Sequence, residues 1–361
     1  MKKHQTILIL LLWAGLTLCV WFSPARQLSE AERRPLAQAP KFTMESLLSG
    51  QFREKFEAYT LDQFPLRDGF RRVKSLFHTG VLGQKDNNGI YLADGYAVKQ
   101  EYPLNPGSVN HAIGQFQKIY DQYLPESRCF YAIVPDKGFY FGESSGHLTM
   151  DYDALYAQME AGLPWATAID LRPALTGTDY YRTDTHWRQE ALIPAAALLS
   201  NALGVTPPNV ADYTQTPVEK PFYGVYYGQA ALPMEPETIF LLENDLLGQC
   251  TVYDYETGTY GSVYDMTKLD SRDLYDVYLS GARALLTIEN PNAKTDRELV
   301  IFRDSFGSAM APLLLSDYAK VTLVDIRYIQ SNLLGQFLDF RGQDVLFLYS
   351  TLVLNSSSTL K

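Results

Sequence analysis

The stretch 298-ELVIFRDSFGSAMAP-312 reads as a strand, a turn and a helix. Its apolar run ends at Phe302 or Arg303, Asp304 and Ser305 occupy a polar turn, and a helix rich in small residues follows. The runs 129-CFYAIVP-135, 166-ATAIDL-171, 321-VTLVDI-326 and 344-DVLFLYS-350 are likewise short, continuous and apolar. Helical spacing lies between them, over 109–124, 152–163, 187–203 despite Pro194, a helix through Met310 and Leu315, and 329–338. Short strands without polar alternation, separated by helices, mark a parallel sheet covered on both faces. The expected fold is therefore α/β and doubly wound.

Residues 205–297 break this rhythm with short, tyrosine-dense, turn-bounded segments and read as a β-rich insertion. A substrate platform and an edge hairpin that only packs on the sheet both fit it. Upstream, 44–82 carries Phe52, Phe56 and Tyr59, then Phe70, Val73, Leu76 and Phe77, at helical spacing broken at Pro65. Asp94-Gly95 between alternating apolar flanks predicts a hairpin. Residues 26–43 are polar, punctuated by proline and without an apolar period, as in a tether. Residues 6–22 are apolar behind the basic flank Met1-Lys2-Lys3-His4, so 1–25 reads as a membrane anchor with the rest of the chain outside the cytoplasm. A cleaved signal segment is the other reading of that run. The expected domains are 1–25, 26–43 and 44–361, the last with its insertion at about 205–297.

A serine at a strand-to-helix turn stands at the carboxyl edge of a parallel sheet, where such folds place ligands. Ser305 fits a nucleophile there, with backbone N–H groups facing a developing oxyanion, although this segment taken alone favours a plain helix N-cap. The segment 180-YYRTDTHWRQEA-191 supplies the complement. With one residue between them, Asp184 and His186 lie on the same side of an extended segment, so the carboxylate can hold Nδ1–H and leave Nε2 as a base. Capping and core packing beside Trp187 account for the same two residues. Chain order is no obstacle to a triad, because triads occur in several orders.

The composition narrows the partners. A formal charge of −10 argues against nucleic acid and against an anionic membrane surface. Aromatic residues make up 13% of the chain, and 25 of its residues are tyrosine, a side chain that stacks on sugar faces but also fills cores. The three cysteines form no CxxC, and the five histidines form no HExxH, so neither a metal nor a cofactor is expected. Cys129 and Cys250 read as buried thiols, with a disulfide between them as the alternative.

The combination of 182-RTDTHW-187, 302-FRDSFGSA-309 and 133-IVPDKGFYF-141 resembles the AlgX/AlgJ-like branch of the SGNH-hydrolase superfamily, and more closely the DHHW family. Supporting segments are 56-FEAYTLDQFPLRD-68, 93-ADGY-96 and 321-VTLVDIRY-328, so the resemblance runs over about 45–352. It implies an SGNH-like sheet and an extracytoplasmic O-acyl transfer site with Ser305 as nucleophile, His186 as base and Asp184 as its orienter. It also implies a cell-surface polysaccharide or wall glycan as substrate and a multi-pass MBOAT-type acyltransferase as partner. An esterase or deacetylase of the same fold, or a non-catalytic polysaccharide-binding scaffold, are its alternatives. The chain departs from the pattern at Thr185, where the DHHW motif has His, and at Arg303, where the superfamily has Gly before Asp-Ser. Lys137, Arg303, Arg327 and Tyr328, all at predicted strand ends, are candidate substrate contacts. Ordinary surface exposure fits Lys137 as well, an ion pair with Asp325 or Asp304 fits Arg327, and Arg303 fits either role.

Overall fold

The computed structural model describes residues 2–29 and 31–361; Met1 of the basic flank and Glu30 of the polar stretch lie outside the described residues. The chain divides into two compact units, residues 1–88 with 225–234, and 89–224 with 235–361.

The first unit begins with α1 (Lys2–Phe22), whose 18-residue window Lys3–Val20 is apolar and long enough to cross a membrane. Its 21 residues rise about 31 Å, close to the hydrocarbon thickness of a bilayer. Helices α2 (Gln51–Asp62) and α3 (Arg67–Leu76) follow, separated at Pro65 as the sequence predicts. Asp62 accepts two hydrogen bonds from Arg34, at 2.8 and 2.6 Å, so the stretch after α1 is tied to α2 by a charge-assisted fork. The guanidinium holds the Asp62 carboxyl down at about 2. Segment 225–234 joins this unit through its backbone: Ser75 Oγ and Asn87 Nδ2 both donate to the Ala230 carbonyl.

The second unit holds the sheet. Its strands are β1 (Arg128–Val134), β2 (Thr167–Ile169), β3 (Thr251–Asp254), β4 (Thr259–Gly261), β5 (Leu285–Glu289), β6 (Glu298–Arg303), β7 (Lys320–Val324) and β8 (Asp344–Ser350). They lie in the order β4-β3-β5-β7-β6-β8-β1-β2. The five strands from β7 to β2 pair in parallel, and β4, β3 and β5 extend that edge in antiparallel. The doubly wound α/β class is thus the observed one. The insertion is partly built into the sheet, since β3, β4 and β5 all fall within 205–297.

Alternate residues of the buried strands feed two cores. Ala132, Ile301, Leu323 and Leu348 face one layer, under α6 (Ile193–Leu203) and the 307–314 segment. Tyr131, Phe302, Val324 and Phe347 face the other, under α4 (Pro106–Tyr123) and α5 (Tyr152–Gly162). Cys250 belongs to the first layer and Cys129 to the second, both as free thiols, which burial pushes up to about 11 and about 12. Helix α6 starts at Ile193 rather than 187, because Pro194 has no N–H to donate and is tolerated only in a first helical turn. Residues 307–314 form one α turn and one 3₁₀ turn, and 331–336 a 3₁₀ segment, in place of the two predicted α-helices. The hairpin at 90–99 turns on Asp94 and Gly95 with φ of 49° and 82°, the doubly positive pair of a type I′ turn.

Candidate active site

Strands β1, β8 and β6 are neighbours although β8 comes last in the chain, so their carboxyl ends form a switch point of the sheet. After β6, Asp304 turns the chain: its Oδ1 accepts the Phe306 N–H at 3.0 Å and its Oδ2 accepts the Ser350 N–H, at the end of β8, at 2.8 Å. Ser305 is thereby fixed between two strand ends. The N–H groups of Phe306, Gly307 and Ser308 are spent inside the turn. Where several amides were expected to face the site, of the N–H groups from Ser305 to Ser308 that of Ser305 alone has no acceptor among the described residues.

After β2, residues 180–187 form a loop closed by the Tyr180–Trp187 bridge and by the Tyr181 N–H donating to the His186 carbonyl. Between those ends the backbone bends instead of running extended. Asp184 Oδ1 accepts the His186 N–H at 3.0 Å, so a turn brings the pair together where alternation along a strand was expected. The same oxygen lies 2.6 Å from His186 Nδ1, and His186 Nε2 lies 2.7 Å from Ser305 Oγ. A carboxylate only accepts, so the proton sits on Nδ1 and Nε2 is left to accept from the serine hydroxyl. Asp184 is fully buried and His186 is 8% exposed. The structure therefore brings Ser305, His186 and Asp184 into one hydrogen-bonded line. Such a line can pass a proton between a serine and whatever the serine attacks.

The other sequence candidates fall elsewhere. Lys137 is 2% exposed and its Nζ donates to the carbonyls of Tyr181 and Arg182, at 2.9 and 3.3 Å. It braces the loop that carries Asp184, which replaces both the substrate contact and the surface lysine expected of it. Burial pushes its ammonium down to about 7, against the opposing pull of Asp184, Glu237 and Asp136. Arg303 is fully buried, 3.8 Å from Asp325, and donates to the Gly281 carbonyl at 3.2 Å. It too is a structural cation and not a substrate contact; burial lowers its guanidinium below the usual value. Arg303 leaves the serine turn undistorted because the close approach falls on Gly307, whose Cβ would lie 2.7 Å from Arg303 Cβ. Arg327 forks onto Asp325 at 2.8 and 2.6 Å, while Tyr328 is 52% exposed.

Three residues that sequence reasoning missed complete the surroundings, all from the insertion. Glu237 accepts from the Arg182 and Thr183 N–H groups and from Thr183 Oγ1, at 2.7 to 2.8 Å. Gly224 packs on Asp184, where a Cβ would meet the Asp184 N, Cα and Cβ at 2.3 to 2.4 Å. Tyr275 stacks on the His186 ring, centroids 4.0 Å apart and planes 9° from parallel. Isolated glutamates, glycines and tyrosines carry no motif, so no local signal marked them.

The profile of the family described as "DHHW protein" matches residues 155–324, a span that includes both site loops. Among solved structures, a DHHW family protein from Eubacterium siraeum matches with a TM-score of 0.61 and 19% identity, covering 76% of this chain and 95% of that one. Bacillus cereus PatB1, solved with a sulfonyl adduct, matches with a TM-score of 0.58 and 17% identity, covering 73% and 95%. The O-acetyltransferase domain of Pseudomonas putida AlgJ matches with a TM-score of 0.43 and 16% identity, covering 74% and 92%. No curated protein matches the chain in sequence. At these identities the shared property is the fold.

Proposed function

We propose that the protein is a membrane-anchored, extracytoplasmic O-acyltransferase that moves an acyl group, acetyl by the family resemblance, onto a cell-surface glycan through an acyl-serine. The observation that carries this reading is the 2.7 Å contact between Ser305 Oγ and His186 Nε2, with Asp184 holding Nδ1.

In the first step Ser305 Oγ attacks the donor's acyl carbon as its proton passes to His186 Nε2. The donor's alcohol leaves with that proton. In the second step an acceptor hydroxyl gives its proton to His186 and attacks the acyl-serine, and His186 returns the proton to Ser305. The Ser305 amide is available to the oxyanion of both tetrahedral intermediates. Helix α1 supports tethering, and a tethered enzyme suits delivery of the acyl group from a multi-pass MBOAT-type membrane partner. No cofactor enters either step.

A sulfonyl fluoride probe, chosen with the PatB1 adduct in mind, tests the nucleophile. Wild type is expected to label, Ser305→Ala to lose labelling and His186→Ala to lose most of it. A folded wild type that does not label overturns the reading in favour of a binding scaffold. Offering an acetyl ester with and without a glycan then separates transfer from hydrolysis by acetylated glycan against free acetate.

A further inference from the structure

The two faces of the sheet are treated differently at the edge formed by β4, β3, β5, β7 and β6. On one face Leu286, Ile288, Leu299, Ile301, Val321 and Leu323 are buried in the first core. On the other, the amino-terminal halves of β6 and β7 and the carboxyl-terminal half of β5 carry Glu298, Lys320, Thr322, Thr287 and Glu289. A doubly wound sheet fills such positions with apolar residues beneath a helix. Here they floor a cleft of about 690 Å³, walled by residues 337–343 on one side and Tyr253, Tyr255 and Tyr260 on the other.

The polar floor is built, because Thr287 Oγ1 and Thr322 Oγ1 hydrogen-bond across β5 and β7 at 2.9 Å and are 6% and 8% exposed. Tyr253 and Tyr260 are register partners on β3 and β4, with ring centroids 5.0 Å apart, and Tyr260 is 65% exposed. Phe337 of the opposite wall stands edge-on to Tyr255 at 6.3 Å. Flat, amphipathic rings over a floor of hydroxyls and carboxylates fit a pyranose, which is apolar on its faces and polar around its rim. Four carboxylates line the cleft against three bases. Lys320 faces Glu298 at 3.8 Å and Arg341 faces Asp339 at 2.5 Å, so the balance turns away polyanions.

We propose that this cleft docks a neutral pyranose chain at a site separate from Ser305. The cleft meets β6 at its first residues and Ser305 follows its last, a strand length of about 16 Å away. If the transfer reading holds, docking raises the effective concentration of a polymeric acceptor at the serine without touching the chemistry.

Calorimetric titration of full-length Ser305→Ala protein in detergent micelles tests this, with cellohexaose and chitohexaose as neutral probes and hexagalacturonate as the anionic control. Saturable binding of a neutral hexasaccharide is expected, weakened at least fivefold by Tyr260→Ala and by Tyr253→Ala, with the galacturonate unbound. Tyr260 is exposed enough for its truncation to leave the fold intact. Absence of binding by both neutral probes at millimolar concentration overturns the proposal, as does binding indifferent to both tyrosine substitutions. The readout needs no working serine, so a failed cleft and a failed catalytic reading are distinguished.

Discussion

Tyr275 lies face to face with His186, 4.0 Å from ring to ring, and is itself buried at 3% exposure. Its hydroxyl has no hydrogen-bond partner among the described residues, so the ring and not the oxygen explains its position. The stack fixes the imidazole plane that Asp184 fixes only along one bond. Tyr275→Phe keeps the stack and removes a buried unpaired hydroxyl, so labelling of Ser305 should stay near wild type and stability should not fall. Tyr275→Leu should slow labelling roughly three- to tenfold, the range of an aromatic pair. Equal rates in the two variants would remove Tyr275 from the positioning of His186.

Asp184→Asn tests the orientation of the base. A carboxamide can present N–H to the ring and leave the proton on Nε2, where it can no longer accept from Ser305. Probe labelling should fall by about 10³–10⁴ with the unfolding midpoint little changed. A loss of less than tenfold would mean that His186 keeps its tautomer without the carboxylate.

The sheet was legible because it is built from the strongest signal a sequence carries, apolar strands buried on both faces between helices. The two site segments were legible because strand-turn-helix and Asp-x-His are compact patterns. What supports them was not. Glu237 and Gly224 reach the 182–184 backbone from about 50 and 40 residues away, and Tyr275 reaches His186 from about 90, through an insertion without periodicity. Lys137 misled, and Arg303 stood between two readings, for a related reason. A cation at the end of a strand reads as a surface or substrate group until the fold shows that carbonyls and Asp325 enclose it.

Gly224→Ala is expected to destabilise the unit that holds the site. The added carbon meets backbone atoms of Asp184 at 2.4 Å, and backbone cannot rotate aside as a flexible side chain can. Overpacking of this kind costs about 1–3 kcal/mol, read in urea unfolding, and should displace Asp184 enough to reduce probe labelling as well. Gly248→Ala is the control, since nothing lies within 4 Å of its Cβ. Equal stability of the two alanine variants would show that the Gly224 contact is not tight in solution.

Lys137 makes stability depend on alkaline pH in a direction opposite to that of the buried tyrosines. Its ammonium is pushed down to about 7 in the folded protein, chiefly by burial, and returns to about 10.4 when the chain unfolds. Between these values the unfolded state binds the extra proton, so stability rises with pH, by up to about 1.4 kcal/mol per unit from this group alone. Below about 7 both states are charged and the contribution is flat. The buried Cys129 and Cys250 thiols ionise at about 8.5 once the chain unfolds and lower stability from there, with tyrosine following at about 10, so the window to measure is pH 7 to 8. Lys137→Met leaves the Tyr181 carbonyl without its donor and the Arg182 carbonyl with the Ala97 N–H alone, and is expected to be less stable throughout, which makes the slope and not the midpoint the diagnostic. Urea unfolding across that window should rise with pH in wild type and lie nearly flat in the variant; parallel slopes would place the Lys137 titration outside this range.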